Sequence, residues 1–151
     1  MPHLRRAVVF FLVSGALAAG VAGCGSREPS DEEKVRETLS GLAAATAAKD
    51  YGRLCKNIFA EELLRGISEI GLSCEVAMRN SLAEVKSPRL TVGRVEVKAK
   101  EATAEVRTSA EGQAPSRDTV RLVKAEDGGW RVSSLADAEG PQTAPEPTPE
   151  G

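Results

Sequence analysis

Leu90-Thr91-Val92-Gly93-Arg94-Val95-Glu96-Val97-Lys98-Ala99 is the stretch whose reading decides the fold. From Arg94 onward charged and apolar residues alternate, the period of a strand with one face buried. Val95, Val97 and Ala99 share one face, and Arg94, Glu96 and Lys98 share the other. Leu90 and Val92 run in the opposite phase, so Gly93 marks a bulge or bend between the two halves. The same alternation recurs three times downstream. Ala104 and Val106 alternate with Thr103, Glu105 and Arg107. Val120 and Leu122 alternate with Arg121, and Val123 follows. Trp130 and Val132 alternate with Arg131 and Ser133. Asp127-Gly128-Gly129 is a hairpin signal between the last two strands, and Ala110 to Arg117, with Gly112 and Pro115, is a longer connection. Four antiparallel strands are the expectation.

Upstream of Pro88 the period changes to that of helices. Ser30-Asp31-Glu32-Glu33 is a capping box, in which the serine oxygen accepts from the Glu33 amide and Glu33 reaches back. Val35, Leu39, Leu42 and Thr46 follow at helical spacing, and the alanines of 43–48 favour helix. Asp50 caps a second, short helix from Tyr51 to about Asn57. Ile58 to Ile70 is again helical in spacing, with Gly66 and Gly71 as weak points. Ser73 caps a further helix whose apolar stripe is Cys74, Met78, Leu82 and Val85, ended by Pro88. Helices first and antiparallel strands after is the α+β order. Roughly 105 residues, 30–135, suffice for one such domain. Residues 136–151 repeat proline and acid (Pro141, Pro145, Pro147, Pro149, Glu139, Glu146, Glu150) and read as a disordered tail.

The first 23 residues have a different character. Arg5-Arg6 precede an apolar run containing Val8, Val9, Phe10, Phe11, Leu12 and Val13, and small residues crowd its end. This is the layout of a cleaved secretory signal. Val21-Ala22-Gly23-Cys24 resembles the lipobox of bacterial lipoproteins. The resemblance implies that the Cys24 thiol carries a diacylglyceryl group, that cleavage falls before it, and that residues 24–29 tether the domain to a membrane on its extracytoplasmic side. At ~3.5 Å per residue that tether spans about 20 Å at most. Two or more acyl chains anchor stably. The rival readings are an ordinary cleaved signal with a free cysteine and an uncleaved membrane anchor.

Cleavage removes Arg5, Arg6 and the only histidine, His3, so the 20 basic and 22 acidic residues become 18 and 22 and the net charge moves from −2 to −4. Mild acidity without a basic block argues against nucleic acid as a partner. Besides Cys24 the cysteines are Cys55 and Cys74. In an oxidising compartment an even pair forms a disulfide, and closing about 20 residues of chain contributes roughly 3 kcal/mol in the chain-entropy account. A metal site or two buried thiols are the rivals; with no histidine and no third thiol, the metal lacks ligands.

The same economy limits catalysis. No serine has a histidine base or a lysine three residues on. There is no phosphate-binding glycine loop, and Asp127 lacks the alternating acids of a calcium loop. Asp50 and Tyr51 are neighbours on a helix and do not face each other. No cofactor is expected. The apolar strand faces read either as core or as the lining of a pocket for an apolar ligand. Trp130 reads as a core plug or a ligand platform. Arg94, Lys98, Arg107, Arg121 and Lys124, with Glu96 and Glu105, read as a solvated outer face carrying cross-strand ion pairs, or as a docking face.

Lys49-Asp50-Tyr51 with Leu54-Cys55, and Gly128-Gly129-Trp130-Arg131-Val132, resemble the first helix junction and the last strand of the nuclear transport factor 2-like (cystatin-like, SnoaL-like) superfamily. Small actinobacterial lipoproteins of this type carry a comparable cysteine pair. The resemblance implies helices packed on a curved four-stranded antiparallel sheet, forming a cone. The superfamily hosts enzymes and binding modules alike, so fold does not assign activity. Three functions are expected in order: a non-catalytic module binding a ligand or an envelope protein, an atypical hydrolase or isomerase, and a carrier of an apolar ligand such as a lipid.

Overall fold

The computed structural model describes residues 27–135. The signal reading of residues 1–23, Cys24 and the 136–151 tail lie outside the described residues. Helix α1 spans Asp31–Ala48 and begins as its sequence dictates. The Ser30 hydroxyl accepts from the Glu33 amide at 3.2 Å, and the Glu33 carboxylate accepts from the Ser30 amide at 2.6 Å. Val35, Leu39, Leu42 and Ala45 form its buried stripe. Lys49 closes it in the left-handed region, φ 54°.

Helix α2, Tyr51–Arg53, is capped by Asp50 Oδ1, which accepts from the Arg53 amide at 2.9 Å. It widens at once into a π-helical turn, Leu54–Ile58, which buries Leu54, Cys55 and Ile58 together. Helicity was expected from Tyr51 to about Asn57; nothing in the spacing announces the wider turn. The expected helix from Ile58 to Ile70 is shorter. Phe59 is extended and bridges in parallel to Val132, and α3 covers Glu61–Glu69. Helix α4, Cys74–Ser81, starts after Ser73, whose side chain makes no capping bond. It also stops well before Pro88. Leu82 and Val85 face inward from the turns that follow rather than from the helix.

The strands are β1 Arg89–Lys98, β2 Glu101–Ser109, β3 Ser116–Lys124 and β4 Trp130–Leu135, paired in the order β1-β2-β3-β4, all antiparallel. The bulge read at Gly93 is present: Val92 pairs with Val106 and Val95 with Ala104, leaving two residues opposite Glu105. A Cβ on Gly93 would come within 3.3 Å of the Glu105 carbonyl. The bulge resets the phase, so Leu90, Val92, Val95 and Val97 all pack on the core despite their change of parity. A second irregularity on β4 falls between the partners of Arg121 and Leu122.

The core lies between α1, the π-helical turn and one face of the sheet. Val35, Leu39, Ala104 and Val132 are fully buried, and Trp130 is 1% exposed. Trp130 is thus a core plug. Its indole N–H donates to Asp31 Oδ1 at 3.2 Å, and Lys124 Nζ donates to both Asp31 oxygens at 2.8 and 2.9 Å. That corrects the outer-face reading of Lys124. It follows the parity of Val120 and Leu122 and reaches across to α1. Among the described residues Arg94, Lys98 and Arg107 make no ion pair, so the expected cross-strand pairing does not involve them.

Candidate functional site: an apolar chamber beneath α1

The antiparallel meander places the start of β1, the end of β2, the start of β3 and the end of β4 at one edge of the sheet. The C-terminal half of α1 lies over that edge. Between them is a chamber of about 460 Å³ that opens to solvent. This is within the ~300–1,000 Å³ range of small-ligand sites. Leu42, Leu54 and Phe59 form its buried floor, and Ala43, Met78, Leu82 and Val85 its walls. Arg89, Thr108, Ser109, Gln113 and Ser116 stand among the polar lining residues.

The local sequence explains each part. Ala43 is one residue past Leu42 on α1, so its small side chain faces the space that a larger residue would fill. The wall carrying Met78 belongs to α4, which buries no residue completely. A disulfide between Cys55 and Cys74, with Cα atoms 5.9 Å apart, joins the first residue of α4 to the π-helical turn. Lys49 Nζ donates to the Ala83 carbonyl at 3.2 Å and holds the far end of the same segment. Arg79 lies over the Tyr51 ring at 5.9 Å.

The chamber's chemistry is simple. Among the described residues Arg89 is its only charged lining residue, and no carboxylate, tyrosine or thiol lines it. Among the described residues no polar or charged side chain is fully buried, and no group of three or more acids and cysteines is placed to hold a metal. Depressed carboxylates occur elsewhere, at the opposite end of the sheet. Asp31 is held below the usual range by its hydrogen bonds from Lys124 and then Trp130. Glu33 is lowered by the Ser30 amide and hydroxyl. Asp127 is lowered by the Gly129 amide and the Arg131 guanidinium. The bonds of Glu33 and Asp127 are a helix cap and a turn, and those of Asp31 tie α1 to the sheet.

A larger groove of about 550 Å³ lies on the sheet near the Gly93 bulge, lined by Thr91, Glu105, Arg107, Arg117, Asp118 and Thr119. It is charged with both signs, and among the described residues Val106 is its only apolar lining side chain, so it lacks the composition of a ligand chamber. Of the residues singled out in the sequence, Cys55 and Cys74 are brought together next to the chamber. Asp50 serves as a cap, and Trp130 lies in the core away from the opening. The wall residues Leu82 and Val85 were visible as an apolar stripe. Arg89 and Gln113 carried no signal, since their place in the lining arises only where strand ends and a loop converge.

The architecture is that of an α+β domain, one long helix and three short ones packed on a four-stranded antiparallel meander. No family model and no curated protein sequence matches this chain. Two solved structures are similar in fold. One is an NTF2-like protein of unknown function from Shewanella baltica OS155, 15% identical, covering 67% of this chain and 86% of that chain with a TM-score of 0.46. The other is an NTF2-like protein of unknown function from Silicibacter pomeroyi DSS-3, 16% identical, covering 67% of this chain and 88% of that chain with a TM-score of 0.47.

Proposed function

We propose that this chain is a membrane-anchored extracytoplasmic lipoprotein whose nuclear transport factor 2-like domain binds a small apolar ligand without transforming it. The observation that carries the reading is the composition of the chamber among the described residues: an apolar floor and walls, a polar rim, and one charged side chain, Arg89. A general acid or base within reach of a substrate is needed for hydrolase or isomerase chemistry, and the lining favours binding over that alternative. The Cys55–Cys74 bond suits an oxidising compartment, which supports export. Anchoring rests on the lipobox resemblance at Cys24. No helix among the described residues is long and apolar enough to cross a membrane.

Two measurements test this. Intact mass of the native protein reads acylation at Cys24; an unmodified thiol there overturns the lipoprotein reading. Native mass spectrometry of the full chain, purified without added ligand, reads chamber occupancy. An adduct of a few hundred daltons is expected, and Ala43→Phe, which projects a ring into the space, removes it. An adduct that persists in Ala43→Phe, or no adduct with no uptake of added apolar compounds, overturns the chamber reading.

A further inference from the structure

The chamber also selects the polar end of its occupant. We propose that the ligand is a single-chain amphiphile with an anionic head, a carboxylate or a phosphate, seated against Arg89 with its chain directed to Leu54 and Phe59. This rests on the proposal that the chamber binds an apolar ligand, and adds the head-group chemistry.

Three observations converge on it. Arg89 is exposed at the chamber and its side chain makes no hydrogen bond or ion pair among the described residues, so its guanidinium is available to a ligand. Its backbone is placed by the sheet, because it is the first residue of β1 and is paired with Ser109. Two acids of the neighbouring segments already accept hydrogen bonds from serines. Glu111 Oε2 accepts from Ser87 Oγ at 3.4 Å, and Asp118 Oδ2 accepts from Ser116 Oγ at 2.6 Å. Neither carboxylate lines the chamber. Gln113, with two amide N–H donors, also lines it. A guanidinium and an amide donor at the mouth of an apolar space match an acid head on an alkyl chain, because the fork geometry of arginine suits carboxylate and phosphate.

Photo-cross-linking of the full chain in native membrane vesicles tests the inference. The probes are photoactivatable 12-carbon compounds ending in a carboxylate, a phosphate monoester, an alcohol or a trimethylammonium, with labelling of the peptide containing Met78 and Leu82 read by mass spectrometry. Comparing variant with wild type for each probe cancels the probe's own partitioning into the bilayer. Arg89→Gln is expected to lower labelling by the carboxylate or phosphate about fivefold, the upper range for an exposed ion pair, and to leave the alcohol unchanged. Arg89→Lys restores most of the loss, and raising the salt concentration shrinks the difference. Whichever anionic probe loses more identifies the head group. Equal labelling of wild type and Arg89→Gln by every probe overturns the head-group inference while leaving the chamber reading intact. An equal fall for the alcohol and the anions, in both variants, makes Arg89 a structural rim residue and also overturns it. No labelling of the chamber peptide by any probe overturns the chamber reading itself.

Discussion

Trp130 ties the last strand to the start of α1. Its ring is almost completely buried, yet it carries one N–H that must find an acceptor. Asp31 provides that acceptor and binds Lys124 at the same time. The Trp130 carbonyl also accepts from Thr38 Oγ1 at 3.3 Å, a second tie to α1. Trp130→Ala is expected to cost about 3–5 kcal/mol, the range for large aromatic truncations in a core, measured by urea denaturation. Asp31 separates acceptor from charge. Asp31→Asn keeps an oxygen for the indole N–H and loses the Lys124 pair, whereas Asp31→Ala loses both. The melting temperature is expected to fall in both variants and further in Asp31→Ala. Equal falls would show that the indole bond contributes nothing. The tryptophan's burial was legible in its place after Gly128-Gly129. Its partner was not, because Asp31 lies 99 positions away, inside the capping-box stretch Ser30-Asp31-Glu32-Glu33. Lys124 was misread for a related reason: its charge suggested solvent, while its parity with Val120 and Leu122 pointed inward.

Among elements, β1 and α4 show opposite degrees of legibility. In β1 the parity change at Gly93 was local information, and local information suffices to place a bulge. The helix start at Ser30 and the turn at Asp127 were legible for the same reason. α4 was overextended to Pro88 because apolar spacing through Leu82 and Val85 continues the stripe past the point where the helix stops. Both residues are inward-facing in either case, so the pattern reports the chamber wall and not the backbone conformation. The wall is weakly held by its own packing, which makes the Cys55–Cys74 bond its main attachment. Cys55→Ser with Cys74→Ser is expected to lower stability by about 3 kcal/mol. The loss should concentrate in α4 and the 82–88 turns, read as faster amide exchange there than in α1. Uniformly faster exchange would mean that the bond stabilises the domain as a whole and has no special hold on the chamber.

At the scale of the whole molecule the domain is polarised along its long helix. The N-terminal turn of α1 meets the β3–β4 end of the sheet through Asp31, Lys124 and Trp130, with Glu33 and Asp127 fixed in nearby cap and turn bonds. The C-terminal half of α1 covers the open, apolar chamber. The three depressed carboxylates therefore belong to the polar latch and none to the chamber. Each has a folded pKa below its unfolded value, so each contributes stability that is fully present above about pH 5 and is lost as pH falls through the lowered folded values. Apolar burial has no such dependence. Acidification from pH 5 toward pH 2 is thus expected to loosen the molecule from the latch end. Amide exchange should rise first in the opening turn of α1 and around Gly128, while Leu42, Leu54 and Phe59 keep their protection and the chamber still takes up an uncharged apolar probe. Asp31→Asn, which cannot titrate, should flatten part of this pH dependence. Loss of protection at both ends together, at one pH, would show instead that latch and chamber unfold as a single cooperative unit.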